Sequence, residues 1–175
     1  STKLAQHLKD IVEEKLPQAI REYISNENYK VEGSIGKGRL TETLWIGVFN
    51  KAITNSAAKG VYLVFLFSKN LQHVYLTLVQ AASEMNSRNT SSLSKYDKRR
   101  LSVETSKIRS EMQKVIPQNY IPFLGGPDNI NTSKKDYALG CIFGNEWDMT
   151  GDSEELADLF NAYLDIYEIY YRKLY

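Results

Sequence analysis

A single cysteine in 175 residues, Cys141, leaves no partner for an internal disulfide and fits a reducing, intracellular setting. No apolar run approaches the roughly eighteen residues needed to span a bilayer, and charges interrupt every short apolar stretch of Ser1–Leu16, which therefore does not read as a signal peptide. Only two histidines occur, His7 and His73, neither with a cysteine or carboxylate companion at metal-ligand spacing. There is no Gly-Lys-Ser/Thr phosphate loop. Glu13-Glu14-Lys15 falls in a helical pattern and not in the strand setting of a nuclease carboxylate cluster. Cys141 lies in an apolar run and reads as buried rather than nucleophilic. The sequence thus nominates no catalytic residue, no metal ligand and no cofactor. Charge of one sign is also missing: the net charge is +1, where a dedicated nucleic-acid binder is often strongly basic.

What is present is enough for one globular domain. The length suffices to bury a core unaided, and 42% hydrophobic with 25% charged residues is an ordinary soluble balance. The two signs of charge are segregated. Acids gather at Asp10, Glu13 and Glu14 and from Glu146 to Asp158. Bases gather at Lys37 and Arg39 and at Lys95, Lys98, Arg99, Arg100, Lys107 and Arg109. A neutral chain can in this way present a basic face.

Periodicity predicts an amphipathic helix over residues 3 to about 23, kinked or restarted at Pro17. Strands are predicted over 29–31, 40–49, 61–67 and 74–79, from β-branched and aromatic content. The segment 61–67 is apolar on both faces, which argues for a central strand covered on both sides. A polar loop over 86–94, a basic helix over 95–115, an irregular stretch around Pro122 to Pro127 and a further strand over 137–143 follow. Asp152 with Glu155 resembles a capping box that opens a long C-terminal helix. No repeat or linker divides the chain. The expected fold class is α+β: a mostly antiparallel sheet flanked by N- and C-terminal helices in a single domain, residues 1–175.

One segment carries more than fold information. Gly33–Ser68 joins a glycine-flanked basic tip, Gly36-Lys37-Gly38-Arg39, to a strand with a lone tryptophan, Trp45, and a second strand opened by Gly60-Val61-Tyr62. Glycine lets backbone approach a ligand closely, and flat rings on neighbouring strands could sandwich another flat ring. The plain alternative is a hairpin whose aromatics belong to the core. Tyr62 and Leu66 are four apart on one strand and so share a face.

The order Ser34-x-Gly36-x-Gly38-x-x-Thr41, then Trp45, then Gly60-x-Tyr62, resembles the N-terminal DNA-recognition domain of McrB, the specificity subunit of the methyl-specific endonuclease McrBC. The likeness continues through Phe67-Ser68-Lys69-Asn70 and returns at Leu156-x-x-Leu159-Phe160. It implies that Gly36, Lys37, Gly38, Arg39 and Thr41 meet duplex DNA, and that Trp45, Tyr62 and Leu66 line a pocket for a flipped, 5-methylated cytosine. It further implies a nucleotide-driven motor domain in the full-length chain and a nuclease subunit as partners, in the cytoplasm and with no membrane involved. Two positions depart from the pattern. Lys37 stands where a large aromatic wedge is expected, and Leu44 where proline is frequent. Two other functions stay open: a domain that reads unmodified duplex sequence, and a protein-interaction domain in which Trp45 and Tyr62 are simply core.

Overall fold

Seven consecutive apolar residues leave Val61–Phe67 without a polar side, and they form β3, the middle strand of a five-stranded sheet. In a computed structural model that describes residues 3–36, 44–88, 92–130 and 135–175, the strands are β1 (Tyr29–Ser34), β2 (Trp45–Asn50), β3, β4 (His73–Gln80) and β5 (Cys141–Asp148). Their order in the sheet is their order in the chain, and every neighbouring pair is antiparallel. Around the sheet lie α1 (Lys3–Asp10), α2 (Leu16–Tyr23), α3 (Lys95–Val115), α4 (Lys135–Gly140) and α5 (Ser153–Lys173). The expected α+β class is therefore correct, with a sheet that is wholly antiparallel.

Alternation along each strand gives the sheet two faces. Ile46, Phe65, Leu76 and Asn145 are in register on one, here called the helix face. The last helix, α5, packs on it. Phe160 lies with its ring 5.2 Å from that of Phe65, and the Tyr163 hydroxyl donates to the side chain of Asn145. Tyr167 does more. Its hydroxyl donates to the Val61 carbonyl at 2.8 Å and accepts from the Asn50 amide at 3.0 Å. The β2–β3 pairing runs only to Val48 and Leu63, so the phenol stands in for the next rung of the ladder.

Helix ends are capped by side chains that the sequence supplies. Asp152 accepts from the Glu154 amide at 2.9 Å to start α5, so the cap bond runs to the residue before the expected partner Glu155. Acids in the first turn and Arg172 and Lys173 in the last complement the helix dipole. Ser94 caps α3 by accepting from the Asp97 amide. Asp97 is itself buried, its carboxylate held by the backbone and hydroxyl of Ser87.

Two expectations change in detail, and a third falls partly outside the described residues. The first helix is not continuous: α1 passes through one π-helical turn, Ile11–Lys15, before α2. Pro17 offers no amide to the helical ladder, and the wider turn precedes it. The segment 137–143 is not one strand. Its first half belongs to α4, and β5 begins only at Cys141 and runs on to Asp148. Gly140 marks the change, where a Cβ would lie 2.4 Å from the Gln80 carbonyl, so backbone passes backbone closely there. Of the strand expected over 40–49, the described part begins at Trp45; residues 40–43 lie outside the described residues.

Candidate nucleic-acid interface

The other side of the sheet, the cleft face, carries a row of side chains brought into register by the four pairings: Ser34, Trp45, Leu66, Tyr75 and Glu146. One step further along β2 and β1 stand Gly47 and its partner Glu32, and beyond these Phe49 and Lys30. Trp45 and Leu66 are thus cross-strand neighbours. Tyr62 lies on the same face but four residues, about 13 Å, along β3, beside Phe49, at 5.1 Å between ring centroids.

Gly47 explains how the indole lies. A Cβ there would meet Phe49 Cζ at 2.4 Å and Trp45 Cζ3 at 3.3 Å. The two rings lean over the bare glycine, which leaves Trp45 half-buried and open at the edge of a cleft of about 540 Å³. Lys30, Glu32, Asn55, Ser83 and Tyr137 bound it with Trp45. Lys30 is held by the Glu32 carboxylate at 3.0 Å and by the Asn55 carbonyl at 2.9 Å. Burial raises the Tyr137 phenol above its ordinary range, and burial with the Tyr137 and Tyr167 phenols nearby raises Tyr62 further. Both hydroxyls stay protonated at neutral pH. The cleft therefore combines flat rings with an ammonium, a carboxylate and an amide, a set suited to a planar, polar, heteroaromatic ligand.

Among the residues expected to form the base pocket, Trp45 alone bounds this cleft. Tyr62 and Leu66 are 2% and 1% exposed and lie beneath the same face. Of the expected loop residues, Gly36 is described. It has φ = 83°, in the region that favours glycine, and its amide donates to Ser34 Oγ at 3.0 Å. Lys37, Gly38, Arg39 and Thr41 lie outside the described residues. Both stems of the loop are anchored. Glu13 accepts from the Ile35 amide at 3.3 Å, and the Leu44 carbonyl accepts from the Phe67 amide at 3.0 Å.

The basic helix α3 is not uniformly free. Arg109 donates through Nε to the Ile142 carbonyl at 2.7 Å and through a terminal nitrogen to the Cys141 carbonyl at 2.6 Å. Sequence reasoning missed Lys30, Glu32, Asn55, Ser83 and Tyr137. The i, i+2 spacing of Lys30 and Glu32 places them on one face, but the register that sets them opposite Phe49 and Gly47, on the same face as Trp45, is not visible locally. Tyr137 was concealed by its assignment to a strand.

Over residues 1–172 the chain matches the family described as MrcB-like, N-terminal domain. It belongs to that family. The resemblance to McrB carried by the glycine loop, Trp45 and Tyr62 is thereby upheld for essentially the whole of this MrcB-like domain. No curated protein matches the chain. Among its described residues no cluster of His, Cys, Asp or Glu is placed to hold a metal ion, and no helix is long and apolar enough to cross a membrane. Cys141 is fully buried, and burial pushes its thiol up to about 12, against the opposing pull of Arg109.

Proposed function

We propose that this MrcB-like domain is the DNA-recognition module of a modification-dependent restriction system, and that it receives a modified cytosine turned out of a DNA duplex. The observation that carries the reading is the half-open Trp45 indole. It leans over Gly47 at the mouth of a cleft with polar walls, on the strand fed directly by the glycine loop. Gly36, Lys37, Gly38, Arg39 and Thr41 meet the duplex, with Lys37 and Arg39 toward phosphate. The Lys37 stem occupies part of the space left by the extruded base, whose unstacking costs a few kcal/mol. Trp45 stacks on the base, while Tyr62 and Leu66 support the apolar floor that favours a 5-methyl group. One methyl contributes only about 1–3 kcal/mol of discrimination, so the preference over plain cytosine is modest unless the polar wall also reads the Watson–Crick edge. Nucleotide hydrolysis and cleavage belong to a motor domain and a nuclease subunit beyond this chain, in the cytoplasm.

The burial of Tyr62 and Leu66, together with lysine at position 37, favours a second reading. In it the same loop and face bind unmodified duplex by sequence and no base leaves the stack. A titration at fixed salt separates the two. Duplexes that differ only in cytosine, 5-methylcytosine or 6-methyladenine carry a fluorescent base analogue beside the target to report unstacking. Flipping predicts tighter binding to the 5-methylcytosine duplex with a rise in fluorescence, and Trp45→Ala abolishes the preference while the fold survives. Equal binding without that rise supports the second reading. Absence of binding to every duplex overturns both.

A further inference from the structure

At the end of the sheet where the glycine loop leaves β1 and returns into β2, a second connection emerges beside it. This is the turn from β3 to β4, Ser68-Lys69-Asn70-Leu71-Gln72. The Phe67 amide donates to the Leu44 carbonyl at 3.0 Å, so the stems of the two connections are bonded to each other, on strands about 5 Å apart. Leu71 stands out within the turn. Among the described residues it is the only one besides glycine with a positive φ, 58°, in a region where a β-carbon crowds the following carbonyl. Its side chain is 41% exposed and takes no part in the hydrophobic core. The turn is nevertheless firmly held. The Ser68 amide donates to the His73 carbonyl, the Leu71 amide to the Ser68 carbonyl, and the Gln72 amide to Asn70 Oδ1.

We infer that Leu71 is an apolar wedge that presses into the duplex beside the base received by the cleft, an inference that rests on the flipping reading above. An unfavourable backbone conformation persists only where its surroundings over-determine it, and such positions gather at ligand clamps. Here the bonds of the turn supply that hold, and what they hold is an exposed leucine outside the core. Glycine or asparagine would meet the same φ at less cost, so the side chain and not the backbone accounts for leucine at this place. Leucine is among the apolar side chains that enter between base steps and unstack them. The Lys37 stem fills space but ends in a charge; Leu71, on the neighbouring connection, offers a branched apolar surface. Charge agrees with this. Lys69 is the one ionisable side chain from Ser68 to Gln72, exposed and without an ion pair among the described residues, and so free to meet a phosphate. The acids of the adjoining strand are engaged: Glu146 lies 2.8 Å from His73 Nδ1, and Asp148 accepts from the Thr150 amide and hydroxyl. A protein interface needs about 800 Å² per partner, far more than one leucine and one lysine provide, whereas a wedge needs no more than these.

The test uses the 175-residue chain and a duplex carrying one 5-methylcytosine beside a fluorescent base analogue. Leu71→Gly suits the positive φ and removes the side chain, so its circular dichroism should match that of the unaltered chain. Its binding is expected to weaken about tenfold, and the fluorescence rise at saturation to shrink. Leu71→Met, which keeps an apolar chain, retains both. Lys69→Gln weakens binding to modified and plain duplex alike and lowers the slope of log affinity against log salt by about one, with the fluorescence rise at saturation unaffected. If the unaltered chain unstacks the base and Leu71→Gly does so equally, with the same affinity, Leu71 is no wedge and the flipping reading survives. Should the unaltered chain give no fluorescence rise, the flipping reading itself fails and takes this inference with it. Unfolding of Leu71→Gly would make the leucine a structural residue and overturn the inference as well.

Discussion

Gly47 has no side chain, and the geometry of the cleft depends on that. The rings of Trp45 and Phe49 occupy the space where its Cβ would be. Gly47→Ala puts a Cβ 2.4 Å from Phe49 Cζ and forces that ring aside, and overpacking of this kind costs about 1–3 kcal/mol. The expected outcome is a lower urea midpoint together with a shift in tryptophan emission, because the Trp45 indole, at 3.3 Å from the new Cβ, must also give way at the cleft mouth. An unchanged midpoint and emission would mean that the rings yield without strain. At this scale the sequence was informative about residue type and silent about partners. Trp45 and Tyr62 stand out as aromatics on strands, yet no local pattern says that one is half-open and the other sealed. That difference comes from α4 and Phe49, which reach Tyr62 from elsewhere in the chain.

Elements were legible where period and length agreed. Val61–Phe67 and Lys95–Val115 coincide with the strand and helix that their patterns predict. The reading failed at 137–143, because a short apolar run fits a buried helix and a buried strand equally well; the change from α4 to β5 falls at Gly140, where backbone passes backbone closely. The association of α5 with the sheet was legible as an apolar stripe but not as chemistry. Tyr167 is the example, its hydroxyl completing the end of the β2–β3 ladder. Tyr167→Phe keeps the ring and removes the rung, leaving the Asn50 amide and the Val61 carbonyl without that partner. An unsatisfied buried polar group costs about 1–3 kcal/mol. Hydrogen exchange should therefore quicken at Asn50, with the helical amides of α5 little affected. Equal acceleration along the whole helix would contradict the local role assigned to the hydroxyl.

For the whole molecule, buried phenols set a limit at alkaline pH. Burial raises Tyr62, Tyr163 and Tyr167 above the ordinary phenol value. A phenol raised in the folded state contributes stability that is fully present below its unfolded value near 10 and is lost as pH rises beyond it. Each phenol that stays protonated in the fold removes up to about 1.4 kcal/mol per pH unit above about 10. Urea midpoints should be flat in this respect up to about pH 10 and fall steeply after it. Tyr62→Phe should make the fall shallower, and a slope indifferent to that change would remove Tyr62 from the account. Acids lie along α5 on the helix face, as the acidic run from Glu146 to Asp158 foreshadows, whereas the cleft carries Lys30 paired with Glu32. The margins of the sheet have a separate consequence. An exposed strand edge invites pairing with another chain. At β5, however, the Arg109 fork already engages the Cys141 and Ile142 carbonyls, and at β1 the Lys30–Glu32 pair stands on the border strand. A guanidinium on one margin and charged side chains on the other disfavour pairing of either edge with a second chain.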